Sequence, residues 1–516
     1  MTADAAPLGP VGLVRFAWTQ LTSMRTALIL LFALAVVAIP GSLVPQRPVN
    51  PIRVIDFVEA NPALGEWYER LGLFDVYASP WFSAVYLLLF TSLVGCIIPR
   101  VAAYARALRT PPPRTPRHLT RLPEHAAGAS ALASGAVLDA AASHLTRARF
   151  RVRREEGAVA AERGYLREFG NLLFHVSLVA LLVGVAWNTL WGYRGDVIVV
   201  EGRAFSNNLG QYDDFTAGGL FRTPHLQPLT IAVDRFTAKF ETGPVQRGAA
   251  RQFTAEVRVT EPGGAERAEL LEVNHPVAVG GASVHLASHG YAPVVTVTDP
   301  QGDVAFSGPV VFLPQDGNFS SLGVVKAPDA RPRSLAFEGY FLPTAIVDAG
   351  GPRSVFPDAL APELFLNAWS GEPQPETGRP QNVYSLDKEH LTQTTTDGDA
   401  PVTFRLQPGQ GVELPDGSTL SFDDWRRWTK LQVSWSPGLP LALGSVGLAV
   451  LGLCLTLFVR PRRLWVRATD ADGGARVEVG GLDRADSREG LAEDVAALAA
   501  ACGVVAPAND DEGEDR

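Results

Sequence analysis

One histidine, His175, stands inside the apolar run FGNLLFHVSLVALLVGVAWNTLW, residues 169–191, which is long enough to cross a membrane. An ionisable side chain at that depth is a functional candidate, because hydrocarbon offers it no water. A neutral imidazole is a good axial ligand for haem iron, and the identity of such a ligand sets much of the iron's redox potential. Asn171 lies one turn earlier on the same helix face, where its amide oxygen can accept the second ring N–H and fix the tautomer. Counted from Phe169, the ring lies about 9 Å into the helix. Gly170, Ser177 and Gly184 offer small surfaces for a close helix or a flat ligand. A second reading stays open, that of a bundle-facing histidine hydrogen-bonded to a neighbouring helix. The Leu, Phe and Val residues of the run, at roughly -0.3 to -0.6 kcal/mol each, can carry one imidazole without any function being required.

A second group of histidines, His275, His285 and His289, falls in NHPVAVGGASVHLASHGYAP. In a regular strand His285 and His289 share a face but stand about 13 Å apart, too far for one metal, and read as surface residues of a half-buried strand. His118, His125, His144, His225 and His390 read as loop residues. Cys96, Cys454 and Cys502 are far apart, two of them in apolar runs, so neither a disulfide framework nor a CxxC pair is expected. No phosphate-binding loop, dinucleotide fingerprint, HExxH or GxSxG occurs in a fitting context.

The elements that must position His175 follow from how the apolar residues are bunched. The chain has 516 residues, 47% hydrophobic and only 19% charged, with a net charge of -9 and no nucleic-acid footprint. Residues 1–25 form a lead containing an amphipathic interfacial helix, 13–25, and residues 26–44 a first membrane span closed by Pro40, Gly41 and Pro45. Residues 45–80 carry two short helical signals. In the better one Asn61 caps, Pro62 opens, and Leu64, Trp67, Tyr68 and Leu71 share a face. A second span, 81–98, ends at Pro99 and Arg100. Residues 99–168 form a basic loop, with 13 arginines and six acidic residues from Arg100 to Glu168, as expected on the cytoplasmic side. Its proline-rich start is a stiff linker, followed by a helix, 136–146, and a hairpin, 149–164.

The third span, 169–191, then runs outward. Residues 192–437 give strand and turn signals in succession (VIVVEG, LTIAVDRF, RQFTAEVRVTE, VVTVTD, PVTFRL, VELPDGSTLSF), with surface loops at 349–382. This acidic region, with 29 acidic and 19 basic residues, reads as an antiparallel, sandwich-like extracytoplasmic domain, one or two in number. A fourth span, 438–459, precedes Arg460, Arg462 and Arg463, and a cytoplasmic tail, 460–516, holds a strand, a helix over 488–501 and an acidic disordered end. The fold class is membrane α plus β: four transmembrane helices and a large β-rich domain, with both termini cytoplasmic.

Several blocks together resemble the ResB/Ccs1 family of System II cytochrome c biogenesis proteins. They are SMRTALILLFALAVVAIPGSLVPQ (23–46), LGLFDVYASPWFSAVYLLLFTSLVGCIIPR (71–100), GYLREFGNLLFHVSLVALLVGV (164–185), NHPV, GYAP, SPG and RRLWVR (462–467). The resemblance implies a multi-pass subunit of the cytochrome c synthase in the cytoplasmic membrane, moving haem b across it for attachment to apocytochrome c. It further implies a CcsA/ResC-type partner carrying the attachment site, and a thioredoxin-like thiol reductase nearby. His175 matches the family's membrane-embedded histidine, which makes it the candidate axial ligand, with Asn171 behind it. The haem-presenting tryptophan-rich segment of the partner is absent, and DDWRRW (423–428) only echoes it. Two alternatives stand beside this reading: a scaffold for apocytochrome c that binds no haem, and an extracytoplasmic sensor.

Overall fold

The computed structural model describes residues 9–49, 51–373, 383–395, 401–483 and 490–505. The chain divides into two compact units, Met1–Ala186 with Gly438–Arg516, and Trp187–Pro437.

In the first unit, helix α1 (Pro10–Leu21) turns directly into α2 (Met24–Leu43), whose first turn is capped by Ser23 Oγ accepting from the Thr26 amide at 3.2 Å. The corner nests on α5 (Pro80–Arg109) because that helix is small there. Ser92 Oγ donates to Leu21 O at 2.6 Å, and the space beside Gly95 is filled by Thr22. Between them lie α3 (Pro51–Ala60) and α4 (Pro62–Leu71), closed around the rings of Phe57, Tyr68 and Phe74. Of the face expected to pack, only Tyr68 turns inward; Leu64, Trp67 and Leu71 are exposed. Gly65 lets Val58 approach the α4 backbone, and this rotates the packed face toward Gly65 and Tyr68. Asn61 does not cap α4; its amide donates instead to Phe57 O.

Helix α5 does not stop at Pro99 but continues to Arg109. One proline costs one intrahelical bond and a bend, and the alanine-rich sequence beyond it favours helix strongly enough to carry on. With α2, α7 (Tyr165–Trp191) and α8 (Leu439–Phe458), it makes four described helices long and apolar enough to cross a membrane.

The basic loop and the tail build one domain. Its antiparallel sheet has the order Glu124–Ser130, Gly474–Asp483, Arg462–Ala471, Ala158–Arg163, Arg151–Glu155. Helices α6 (Ser134–Arg147) and α9 (Leu491–Ala501) pack on it through Val137, Leu145, Val466, Val477, Val495 and Leu498. The tail therefore supplies two of the three inner strands. His125 lies on the first of these strands and His144 on α6, not in loops. The start of the expected tail helix, at residue 488, and the acidic end from residue 506 lie outside the described residues. A chain ended at Val459 should leave residues 124–163 open to limited proteolysis that the full chain resists; equal resistance would contradict this assembly.

The second unit has two hydrophobic cores threaded on two 17-residue strands, Ala282–Thr298 and Thr419–Trp435, paired antiparallel along their length. Ala282 and Val284 face the first core with Leu431 and Val433; Val295 and Val297 face the second with Leu420 and Phe422. Strands Thr230–Phe240 and Ala250–Thr260 complete the first. Ser334–Leu342 and Glu363–Gly371 complete the second, the latter inside the stretch expected to be loop. Leu364, Leu366 and Ala368 are buried there; residues 374–382 of that stretch lie outside the described ones.

Candidate functional site

Helix α7 owes its position to a stripe of small residues. A Cβ at Gly170 would lie 2.5 Å from Leu455 Cβ and 2.7 Å from Gly452 O, and one at Gly184 would lie 2.9 Å from the Ala442 amide. Backbones this close exclude any flat ligand from that stripe, which α8 fills. Ser177 and Ser445 turn their hydroxyls back to their own helices, onto Leu173 O at 2.7 Å and Leu441 O at 2.6 Å.

His175 lies roughly 140° to 160° around the helix from Gly170 and Ser177, on a face α8 does not cover. Helix α5 approaches that face farther along, where the Tyr86 hydroxyl donates to Leu182 O at 2.7 Å. The imidazole is half-buried, edge-on to Phe174 with ring centroids 5.3 Å apart. Its Nδ1 lies 2.7 Å from the backbone oxygen of Asn171. The acceptor is thus the Asn171 carbonyl, not the side-chain amide that the spacing suggested. A carbonyl only accepts, so Nδ1 carries the proton and the Nε2 lone pair is left for another group. Among the described residues Nε2 has no hydrogen-bond partner.

Asn171 itself faces a cavity of about 620 Å³ lined also by Arg100, Tyr104, Glu162, Tyr165 and Arg463. Glu162 is buried and already neutralised, taking Arg463 Nε at 2.9 Å and the Tyr165 hydroxyl at 2.8 Å. Arg100 has no carboxylate partner among the described residues, where its one side-chain hydrogen bond goes to the Met24 sulfur. The sequence marked Arg100 as the end of a span. Only the continuation of α5 past Pro99 brings it to the cavity wall.

The outer histidines do not form a group. A register shift between Leu286 and Ser288 inserts one extra residue, so His285 pairs with Gln432 and His289 with Thr429, on opposite faces. His275 is exposed. His289 is not a surface residue: it is 7% exposed and enclosed by Phe253, Phe319, Phe236 and Phe240, with centroids 4.4, 4.7, 4.9 and 6.3 Å away. Burial, and then the neighbouring Arg427 guanidinium, push its pKa down to about 3, so the ring is neutral at any physiological pH. Its Nδ1 is buried and has no hydrogen-bond partner among the described residues.

Set beside known proteins, residues 24–496 match the ResB-like family. A cytochrome c biogenesis protein CcsB of Synechococcus sp. (strain CC9311) is 27% identical over 479 residues, covering 91% of this chain and 94% of the relative. The protein of that name from Synechococcus sp. (strain CC9605) is 28% identical over 491 residues, covering 93% and 94%. A third, from Thermosynechococcus vestitus, is 26% identical over 452 residues, covering 86% and 87%.

Proposed function

The chain belongs to the ResB-like family, and from that membership we propose that it serves cytochrome c biogenesis as a membrane subunit of the System II synthase, handling haem on its way to apocytochrome c. The observation that carries the haem assignment is the free Nε2 of His175, with its tautomer set by Asn171 O and its face left open by α8. A neutral imidazole so oriented can supply one axial ligand to haem b, as cargo; the second ligand comes from a CcsA/ResC-type partner. The residues present fit such a cargo. One helical turn, about 5 Å, separates His175 from Asn171 at the wall of the cavity that Arg100, unpaired with any carboxylate among the described residues, shares with Glu168. Arg100 would meet a propionate there by a charge-assisted hydrogen bond.

In this reading the arginine-rich domain is cytoplasmic and the acidic β unit extracytoplasmic, in keeping with the arginine excess around 100–168 and 460–467. The chain then takes haem from the inside, and the partner, assisted by a thioredoxin-like reductase that keeps the apocytochrome thiols reduced, completes attachment. The test is complementation. In a strain lacking this chain, the wild type should restore haem-stained c-type cytochromes and His175→Ala should lower them at least tenfold, with the variant accumulating normally in the membrane. Normal cytochrome levels with His175→Ala would favour the scaffold reading instead.

A further inference from the structure

We propose that a second cavity, of about 570 Å³ where α7 begins and α8 ends, binds the phosphate headgroup of an anionic phospholipid. Five arginines line it, Arg149, Arg151, Arg163, Arg460 and Arg462, against the single carboxylate of Glu162. The acids around it are already committed. Glu162 pairs with Arg463, while Asp494 pairs with both Arg163 and Arg462, the latter also facing Asp483. The cavity therefore keeps an excess of positive charge.

Among the described residues, Arg149 and Arg151 face it without an acid. The Arg149 side chain makes no hydrogen bond or ion pair among the described residues, and its backbone is held at φ 60°, where glycine would be the ordinary choice. A charge requirement at that position explains why an arginine occupies it. Arg151 rests over the Tyr165 ring at 4.7 Å and gives one Nη to Thr110 O at 3.2 Å; its other Nη is buried with no acceptor among the described residues. Two guanidinium groups wanting acceptors match the oxygens of a phosphodiester.

The remaining walls say which phosphate. Leu166 and Phe458, 56% and 81% exposed, belong to the ends of two spanning helices and offer the cavity's edge to acyl chains. Free phosphate has no use for them. A basic pocket at the end of apolar helices suits a lipid whose head and tail part at that level.

The test uses the full chain in nanodiscs of phosphatidylcholine with or without phosphatidylglycerol, read by native mass spectrometry and by the thermal midpoint. The wild type should retain phosphatidylglycerol through delipidation and gain stability from it. The double variant Arg149→Gln/Arg151→Gln should retain roughly tenfold less. Arg149→Lys/Arg151→Lys should keep most of the binding, and Arg114→Gln/Arg121→Gln, an equal charge loss elsewhere in the same domain, should behave as wild type. Equal loss in the Arg114/Arg121 control, equal retention of phosphatidylcholine, or full stabilisation by inorganic phosphate alone would overturn the proposal.

Discussion

Gly452→Leu is expected to abolish the packing of α7 on α8, while Gly447→Leu, five residues earlier on the same helix, is expected to be tolerated. A Cβ at Gly452 would sit 2.6 Å from the Phe174 amide and 2.7 Å from Gly170 O, closer than backbone atoms can give way; one at Gly447 meets nothing within 4 Å. Forcing side-chain volume into a packed contact costs about 1–3 kcal/mol even in a yielding core, and this contact is backbone on backbone. The helix carrying His175 would lose the partner that fixes its rotation. In detergent, the thermal midpoint should fall sharply for Gly452→Leu alone, and cytochrome c assembly should fail with it. Equal behaviour of the two variants would mean that the close approach does not matter.

Between pH 6.5 and 5 the β unit should lose about 2 kcal/mol through His289 alone. Its folded pKa of about 3 lies below the ordinary value of 6.5, so in that window the unfolded chain binds a proton and the folded one does not. The contribution is complete above pH 6.5 and declines as pH falls toward 3, at about 1.4 kcal/mol per pH unit. The cause is the wall of four phenylalanine rings, with Arg427 close enough to repel a second positive charge although it is itself paired to Asp358. Carboxylates titrate in the same range, so the comparison is with His289→Phe, which keeps an aromatic ring in the cage. Thermal unfolding of full-length protein at pH 7 and pH 5 should show the smaller loss for the variant. Parallel losses would mean that His289 is solvated.

The four spans, the helix carrying His175 and several strands of the β unit were legible because they rest on local patterns: apolar runs, alternation and turn residues. What was not legible depends on distant pairing. The strands Ala158–Arg163 and Arg462–Ala471 lie side by side although the whole β unit and the helices α7 and α8 separate them in the chain, and neither carries a signal naming the other. Likewise, His285 and His289 share a face in any regular strand, and only the inserted residue at the Leu286/Ser288 shift sends one outward and the other into the phenylalanine cage. Asn171 was correctly placed one turn from His175, but spacing cannot tell a side-chain oxygen from the carbonyl of the same residue. The small-residue stripe was visible too; whether a ligand or a helix filled it was decided by α8, beyond any local window.

The His175 Nε2 lone pair carries the proposed haem contact, and the absorption spectrum of the complex tests it most directly. Co-purified with the proposed CcsA/ResC-type partner, the wild-type chain should carry a haem Soret band, and His175→Ala, present at equal protein level, should lose most of it. Exogenous imidazole, supplying the missing nitrogen, should restore part of the band. An unchanged Soret band in His175→Ala would contradict the assignment, and the haem would then have to be held by other residues.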